Sequence, residues 1–208
     1  MNRVEELFSR HAEPKEFARG YLSYLAEILS RLDEDEIAAF TQTLLEARSR
    51  GATIYFIGNG GSAATASHFA NDIGIGCRSW ERPFRAVSLT DNVPVLTAIA
   101  NDYGYADVFT LQLKTVLRDG DVVVAISASG NSPNVLNAIE YARQHGAVTV
   151  GLTGFDGGRL REAVHIPVHV PTLQGEYGPV EDVHMILDHL VGAFLKCFCH
   201  NESISVTA

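Results

Sequence analysis

Short apolar runs rich in β-branched residues alternate with helical segments along most of this chain, and this alternation restricts the fold more than any other feature. Three of the runs are almost uninterrupted, at residues 52–58, 121–127 and 147–153, and residues 85–89 and 164–170 are weaker copies. Strands without polar alternation are typical of parallel sheets that are covered on both faces. The order of strand and helix therefore predicts an α/β fold, with a parallel sheet between two layers of helices.

The chain is expected to form one domain over its 208 residues. Apolar residues at helical spacing predict a helical extension of two helices over residues 1–50. The α/β core follows over residues 51–199 and ends in a long amphipathic helix at about residues 179–198. Residues 200–208 are predicted to form a tail.

The composition argues against several classes of function and location. The chain has 25 acidic and 16 basic residues, and its formal net charge of −9 argues against binding of nucleic acids or anionic membranes through bulk electrostatics. Three cysteines are an odd number, which argues against a secreted disulfide framework. The first ten residues lack the apolar stretch of a signal peptide, and no apolar run approaches the ~18 residues of a membrane span. We therefore expect a cytoplasmic protein.

Two predicted strand-to-helix turns have the composition of anion sites. They are residues 58–62 (GNGGS), at the end of the first predicted strand, and residues 127–132 (SASGNS), at the end of the strand at 121–127. Glycines let the backbone approach a ligand, serine hydroxyls donate hydrogen bonds, and the next helix presents free N–H groups and the positive end of its dipole. Because ligands bind beyond the carboxyl ends of parallel strands, the pair predicts a phosphate site. The alternative is that both are ordinary turns with serine N-caps.

A dinucleotide site is the rival interpretation of the first loop. Gly58, Gly60 and Ala63 fit a relaxed form of the glycine fingerprint of such sites. That fingerprint also requires an acidic residue at the end of the second strand, whereas Glu81 precedes that strand and Asp91 lies too far along the chain. The rival interpretation also gives no role to the serine-rich loop, so the phosphate site is favoured.

Two helices carry histidines and carboxylates at spacings that suit a metal ion. His68 and Asp72 are four residues apart and share one face of a predicted helix. On the last helix, Glu181 and His189 are about 80° apart around the helix axis, so they could converge on one ligand if a neighbouring group fills the gap. Two histidines and two carboxylates are a suitable donor set for zinc or another divalent ion. The alternative is a solvated polar stripe on the last helix and a surface pair on the first.

Five segments together resemble the sugar isomerase (SIS) domain family, and more narrowly the phosphoheptose isomerases. The segments are GNGGSAATASHFAND (58–72), NDYGY (101–105), SASGNSPNVLNAIEYAR (127–143), GLTGFDGG (151–158) and VEDVHMILDH (180–189). Members of the narrower family convert sedoheptulose 7-phosphate to D-glycero-D-manno-heptose 7-phosphate. The resemblance implies a five-stranded parallel sheet flanked by helices, a flavodoxin-like sandwich, and a homotetramer with active sites at subunit interfaces.

The resemblance also implies roles for single residues. Asp72 is the implied catalytic base, and His189 is the implied second proton-transfer group of an aldose–ketose isomerisation through an enediol. The implied cofactor is a divalent metal, with zinc as the expected ion, held by His68, Asp72, Glu181 and His189. The sugar phosphate is implied to bind a set of residues in and near the two loops: Asn59, Gly60, Ser62, Asp102, Ser127, Ala128, Ser129 and Ser132.

Two acidic positions differ from the family pattern. Asp72 stands where the family has a longer glutamate, and Glu181 stands where the family has a glutamine. Because the acid shortened at 72 coincides with an acid gained at 181, either residue could be the catalytic base. Two other functions stay open, namely a non-catalytic SIS scaffold or sugar-phosphate sensor, and an isomerase of a different sugar phosphate.

Overall fold

Five parallel strands form one sheet at the centre of the molecule. The computed structural model describes the backbone of residues 1–207 and the side chains of residues 1–202. In chain order the strands are β1 (Thr53–Gly58), β2 (Arg85–Ser88), β3 (Val122–Ser127), β4 (Val148–Thr153) and β5 (Ile166–His169). Their order across the sheet is β2-β1-β3-β4-β5, and all four pairings are parallel. The predicted α/β fold with a five-stranded parallel sheet is confirmed.

Nine α-helices, counted over the described residues, surround this sheet. They are α1 (Arg3–Arg10), α2 (Pro14–Leu29), α3 (Glu34–Arg50), α4 (Gly61–Asn71), α5 (Val93–Asp102), α6 (Thr110–Val116), α7 (Pro133–Gln144), α8 (Gly158–Ala163) and α9 (Tyr177–Thr207). A π-helical turn at Asp72–Gly76 continues α4, and a 3-10 turn at Tyr105–Asp107 precedes α6. In the part of the chain that the structure describes, no helix is long and apolar enough to cross a membrane.

The five strands begin and end within two residues of the predicted apolar runs, whereas several helices differ from the prediction. The extension holds three helices rather than two, because residues 3–10 form a separate helix that begins with a capping box at Asn2. The short helix α8 was not predicted. Helix α9 continues to Thr207, beyond its predicted end at about residue 198, and residues 200–207 contain no glycine or proline to end it.

Successive residues of the central strands serve opposite faces of the sheet. Ile54 and Phe56 of β1 belong to a buried cluster shared with α2, α3, α4 and α9. Tyr55 and Ile57 belong to a second cluster shared with α6, α7 and α8. Phe56 also stacks on Phe69 of α4, with ring centroids 5.3 Å apart. Burial on both faces explains why the strand sequences show no polar alternation.

Buried Glu176 attaches the N-terminal extension to the start of α9. Glu176 is only 1% exposed. Its carboxylate accepts hydrogen bonds from the Arg3 backbone N–H at 2.7 Å, the Tyr24 hydroxyl at 2.6 Å and the Leu173 backbone N–H at 2.9 Å. Three donors around one carboxylate compensate for its removal from water, so the extension is fastened to the core by polar as well as apolar contacts.

We expect Glu176→Gln to lower the free energy of unfolding by about 3 kcal/mol, because the amide leaves at least one of the three donors facing an NH₂ group. Urea unfolding followed by circular dichroism measures the change. Glu162→Gln, which alters an exposed carboxylate on α8, is the matched control and should change stability by less than about 0.5 kcal/mol. Equal stabilities of the Glu176 variant and the unaltered chain would contradict this account of the attachment.

Candidate active site

The two loops rich in glycine and serine leave neighbouring strands at the same edge of the sheet. The winding direction reverses between β1 and β3, and open α/β sheets bind ligands at the carboxyl ends of strands beside such a reversal. Gly58 at the end of β1 is in register with Ile126, and Ser127 at the end of β3 is in register with Thr153. The structure therefore places the two loops, which follow β1 and β3, side by side, as the sequence predicts.

Side-chain hydrogen bonds hold the first loop in place. The Asn59 amide exchanges two hydrogen bonds of 2.9 Å with the Asn134 amide on α7, and it accepts a third from the Tyr105 hydroxyl at 2.8 Å. Gly60 has a φ of +55° and nothing within 4 Å of the position of a Cβ, so the backbone there borders open space. Ser62 is buried, and no side chain caps the first N–H groups of α4. These N–H groups suit an anion.

The second loop uses its serines in two ways. The hydroxyls of Ser127 and Ser129 accept hydrogen bonds from the backbone N–H groups of Gly130 at 3.2 Å and Asn131 at 3.3 Å. Each hydroxyl keeps its own hydrogen to donate to a ligand. Ser132 precedes α7, but its side chain makes no capping hydrogen bond. The interpretation of this loop as an ordinary serine N-cap is therefore not supported.

Close packing behind the second loop requires glycine at position 130. Gly130 has a φ of +61°, and a Cβ there would lie 2.0 Å from the Gly157 carbonyl oxygen. Ala128 is 5% exposed, and its carbonyl oxygen accepts a hydrogen bond from the Gly154 N–H at 3.0 Å. Ala128 can therefore offer a ligand little more than its own N–H group.

The NDYGY segment contributes to the site through a residue that the sequence reasoning missed. The predicted residue, Asp102, ends α5 and is exposed, and its carboxylate accepts a hydrogen bond from the neighbouring Asn101 amide at 2.8 Å. Among the described residues it makes no hydrogen bond to either loop. Tyr105 instead reaches Asn59, as described above. Its place in a motif shared with the family is the signal that could have found it.

Two histidines and two aspartates form a compact group. One of each comes from the C-terminal end of α4 and the π-helical turn after it, and one of each comes from the middle of α9. One ligand atom from each of His68, Asp72, Asp188 and His189 lies within 4.8 Å of the others. The Nε2 atom of His68 is 3.4 Å from Asp72 Oδ2, 3.4 Å from His189 Nε2 and 3.9 Å from Asp188 Oδ2. We call these four residues the cation group.

The donor atoms of the cation group fit a divalent ion. Four ligands held about 2.1 Å from a tetrahedral zinc ion lie about 3.4 Å from one another. His68 Nε2 lies 3.4 Å from Asp72 Oδ2 and 3.4 Å from His189 Nε2. Two of the other three donors are therefore already at this spacing from His68. Imidazole nitrogen and carboxylate oxygen together suit zinc and the other divalent first-row metals.

Glu181 lies outside the cation group, near the start of α4. Its carboxylate lies against Gly61, where a Cβ would be 2.2 Å from the nearer carboxylate oxygen. The angle around the helix axis predicted that Glu181 and His189 could converge, but their separation of eight residues is also a rise of about 12 Å along α9. The structure groups Asp188 with His68, Asp72 and His189, and the place of Glu181 in the metal set stays a prediction.

Sequence reasoning missed Asp188, although the pattern of α9 contains a signal for it. Its side chain is fully buried and lies on the same stripe of the helix as the buried residues His184, Leu187 and Val191. A charged residue on the buried stripe of a helix is uncommon and points to a partner. Burial, and then the neighbouring Asp72 carboxylate, raise the pKa of Asp188 to about 7.

Comparisons with known proteins identify the family of this chain. Residues 20–154 match the SIS domain family. The chain is 41% identical to the phosphoheptose isomerase of Geobacter metallireducens and 40% identical to that of Geobacter sulfurreducens, each over 165 residues that cover 79% of this chain and 86% of the relative. The chain belongs to the phosphoheptose isomerase family of SIS domains. The SIS match includes both loops, α4 and the π-helical turn after it, and therefore His68 and Asp72 of the cation group.

Solved structures of phosphoheptose isomerases have the same fold. The structure of the enzyme from Neisseria gonorrhoeae has a TM-score of 0.78 and 30% identity, and the alignment covers 89% of this chain and 100% of that chain. The structure of a phosphoheptose isomerase from Francisella tularensis has a TM-score of 0.77 at 23% identity and covers 94% of this chain and 99% of that chain. At that identity the second likeness concerns the fold alone.

His184, one turn before Asp188 on α9, gives the folded chain a defined response to acid. It is fully buried, its Nε2 lies 3.4 Å from the Thr153 carbonyl oxygen, and its Nδ1 has no partner among the described residues. Burial lowers the pKa of His184 from 6.5 to about 4. Because the unfolded chain binds this proton at higher pH than the folded chain, the stability due to the neutral ring is complete above pH 6.5 and is lost as the pH falls towards 4.

His184 should therefore contribute a loss of about 3 kcal/mol to the free energy of unfolding between these two pH values, while the raised pKa of Asp188 acts in the opposite direction. Urea unfolding of the unaltered chain and of His184→Gln across this range measures the effect. The free energy of unfolding of the unaltered chain minus that of the variant should fall by this amount as the pH decreases from 6.5 towards 4, because the amide of the variant does not titrate. Parallel pH profiles for the two proteins would mean that His184 is not the responsible group.

Proposed function

We propose that this chain is an aldose–ketose isomerase that converts sedoheptulose 7-phosphate to D-glycero-D-manno-heptose 7-phosphate through an enediol. The observation that carries the proposal is that one helix, α4, begins at the glycine-rich loop of residues 58–62 and ends at a group of histidines and carboxylates. His68 lies seven residues into α4, a rise of about 10 Å, so a long linear sugar phosphate suits the distance. The 41% identity to a phosphoheptose isomerase supports this substrate.

The phosphate group is proposed to bind the second loop. The Ser132 hydroxyl makes no hydrogen bond within the described part of the chain, so it is free to donate to a phosphate oxygen. The start of α7 adds the positive end of a helix dipole. The proposed substrate contacts are those of the sequence analysis: Asn59, Gly60, Ser62, Asp102, Ser127, Ala128, Ser129 and Ser132.

Glu181 is the proposed catalytic base. Its carboxylate makes no hydrogen bond to any described residue, and it lies beside Gly61 at the end of α4 that carries the first loop. Burial, and then the nearby Asp182 carboxylate, raise the pKa of Glu181, which makes it a stronger base. Asp72 is the alternative base, but its carboxylate lies 3.4 Å from His68 within the cation group. The base removes a proton from the carbon beside the carbonyl and returns it to the neighbouring carbon.

His189 is the proposed second proton-transfer group. Its Nε2 faces His68, whereas its Nδ1 makes no hydrogen bond to the described residues and can exchange a proton with a substrate hydroxyl. His68, Asp72 and His189 are proposed to hold a divalent ion. When bound, such an ion would stabilise negative charge on the substrate oxygens.

Assembly into a homotetramer is also proposed. Large apolar side chains are exposed on two helices, with Leu22 of α2 at 65% and Leu190 and Phe194 of α9 at 47% and 52%. Exposed apolar side chains that cluster on helices are typical of subunit interfaces. Zinc as the natural ion and the cytoplasm as the compartment stay predictions from the sequence.

Turnover of sedoheptulose 7-phosphate by the purified protein tests the proposed function. We expect NMR to detect the aldose 7-phosphate, and we expect turnover to stop on treatment with a chelator and to return with zinc. Binding of the sugar phosphate without turnover would contradict the isomerase and favour the sensor. Turnover of only a different ketose phosphate would replace the proposed substrate.

The double variant Ser127→Ala with Ser129→Ala tests the phosphate site in the same assay. Each lost hydrogen bond to a charged oxygen weakens binding by roughly 1.5–3 kcal/mol, so KM should rise on the order of 100-fold or more. Ser49→Ala, at an exposed position on α3, is the control and should leave KM unchanged. An unchanged KM in the double variant would refute the assignment of this loop.

A further inference from the structure

Asp188 is a buried carboxylate without a hydrogen-bond donor. Its side chain is 0% exposed, and neither Oδ1 nor Oδ2 has a partner among the described residues. The only ion pair of its carboxylate among the described residues is with His68, whose Nε2 lies 3.9 Å from Oδ2. An ionised carboxylate in the interior strongly destabilises a protein unless a cation or several donors compensate for its lost hydration. The structure therefore calls for a positive charge beside Asp188.

The residues around Asp188 favour a divalent ion as that charge. No lysine or arginine forms an ion pair with Asp72 or Asp188 in the part of the chain with described side chains. When they ligate a metal, two carboxylates and two imidazoles carry a total charge of −2, which one divalent cation balances. The four donor atoms lie within 4.8 Å of one another, close enough to surround a single ion after small shifts.

We propose that Asp188 completes a divalent-cation site with His68, Asp72 and His189, and that Glu181 is not a ligand of this ion. Asp188 approaches from the core and His189 from the exposed side, because adjacent residues of a helix are about 100° apart around its axis. Packing around a fully buried side chain limits its rotamers, so Asp188 acts as the fixed ligand of the set. The inference rests on the proposed function in sharing its site, but binding of the ion is measurable without substrate.

Metal titration of three proteins tests this assignment. Metal-free samples of the unaltered chain, Asp188→Asn and Glu181→Gln are titrated with Zn²⁺ against a chromophoric chelator. The Co²⁺ absorption spectrum of each reports the coordination. Asp188→Asn should weaken binding more than about 100-fold, beyond the effect typical of residues that only support a ligand. Glu181→Gln removes the same charge from the same helix. Its affinity for Zn²⁺ should stay within about 3-fold of that of the unaltered chain, and its Co²⁺ spectrum should be unchanged.

Thermal unfolding separates a ligand from a residue that only supports the fold. Metal-free Asp188→Asn should be as stable as the metal-free unaltered chain or more stable, because an uncompensated buried charge is gone. It should also lose the stabilisation that Zn²⁺ gives the unaltered chain. Asp188→Leu fills the same buried position with an apolar side chain, and it should fold and bind no ion.

Wild-type affinity in both Asp188 variants, or an equal loss in Glu181→Gln, would overturn the assignment. So would an unaltered chain that binds none of Zn²⁺, Mn²⁺, Fe²⁺ and Co²⁺. If that metal-free chain still turned over sedoheptulose 7-phosphate, the proposed function would stand without the cation site. If the chain instead bound the ion through Asp188 but turned over no sugar phosphate, the cation site would stand and the proposed function would fall.

Discussion

The packing of α9 against α4 is the contact on which the site depends. The two helices run side by side in the same direction, so Glu181 in the first turns of α9 meets Gly61 at the start of α4, and His189 meets His68 further along. A Cβ at position 61 would displace the Glu181 carboxylate from this place. One helix pair thus carries a free carboxylate beside the anion loops and a cation group about two turns away.

The sheet and the loops could be predicted because their signals are local. Buried parallel strands appear as uninterrupted apolar runs, and each candidate anion loop follows one of them directly. The proximity of His68 and Asp72 could also be predicted, because residues four apart on one helix share a face. The contact between α4 and α9 is different, since it depends on how far one helix is shifted along another. The periodicity of the sequence carries no information about this shift between helices. The angle around the helix axis therefore pointed to Glu181 and gave no indication of Asp188.

The two acidic departures from the family pattern have separate explanations in this account. Asp72 is shorter than the glutamate of the family pattern, and in the proposed cation site Asp188 would bring a second carboxylate to the ion from the buried side of α9. Glu181 is then free of the ion and lies where a substrate held by the loops would extend. Ligand and base become different residues, which lets the pKa of the base be set by its own surroundings.

A crystal structure with zinc and sedoheptulose 7-phosphate, with anomalous data collected at the zinc edge, tests the central claim most directly. The claim is that the loops and the cation group act on one substrate. The account predicts one anomalous peak about 2.0–2.2 Å from ligand atoms of His68, Asp72, Asp188 and His189, with the phosphate on the loop at 127–132. A peak bonded to Glu181 instead of Asp188, or a phosphate bound away from that loop, would contradict it.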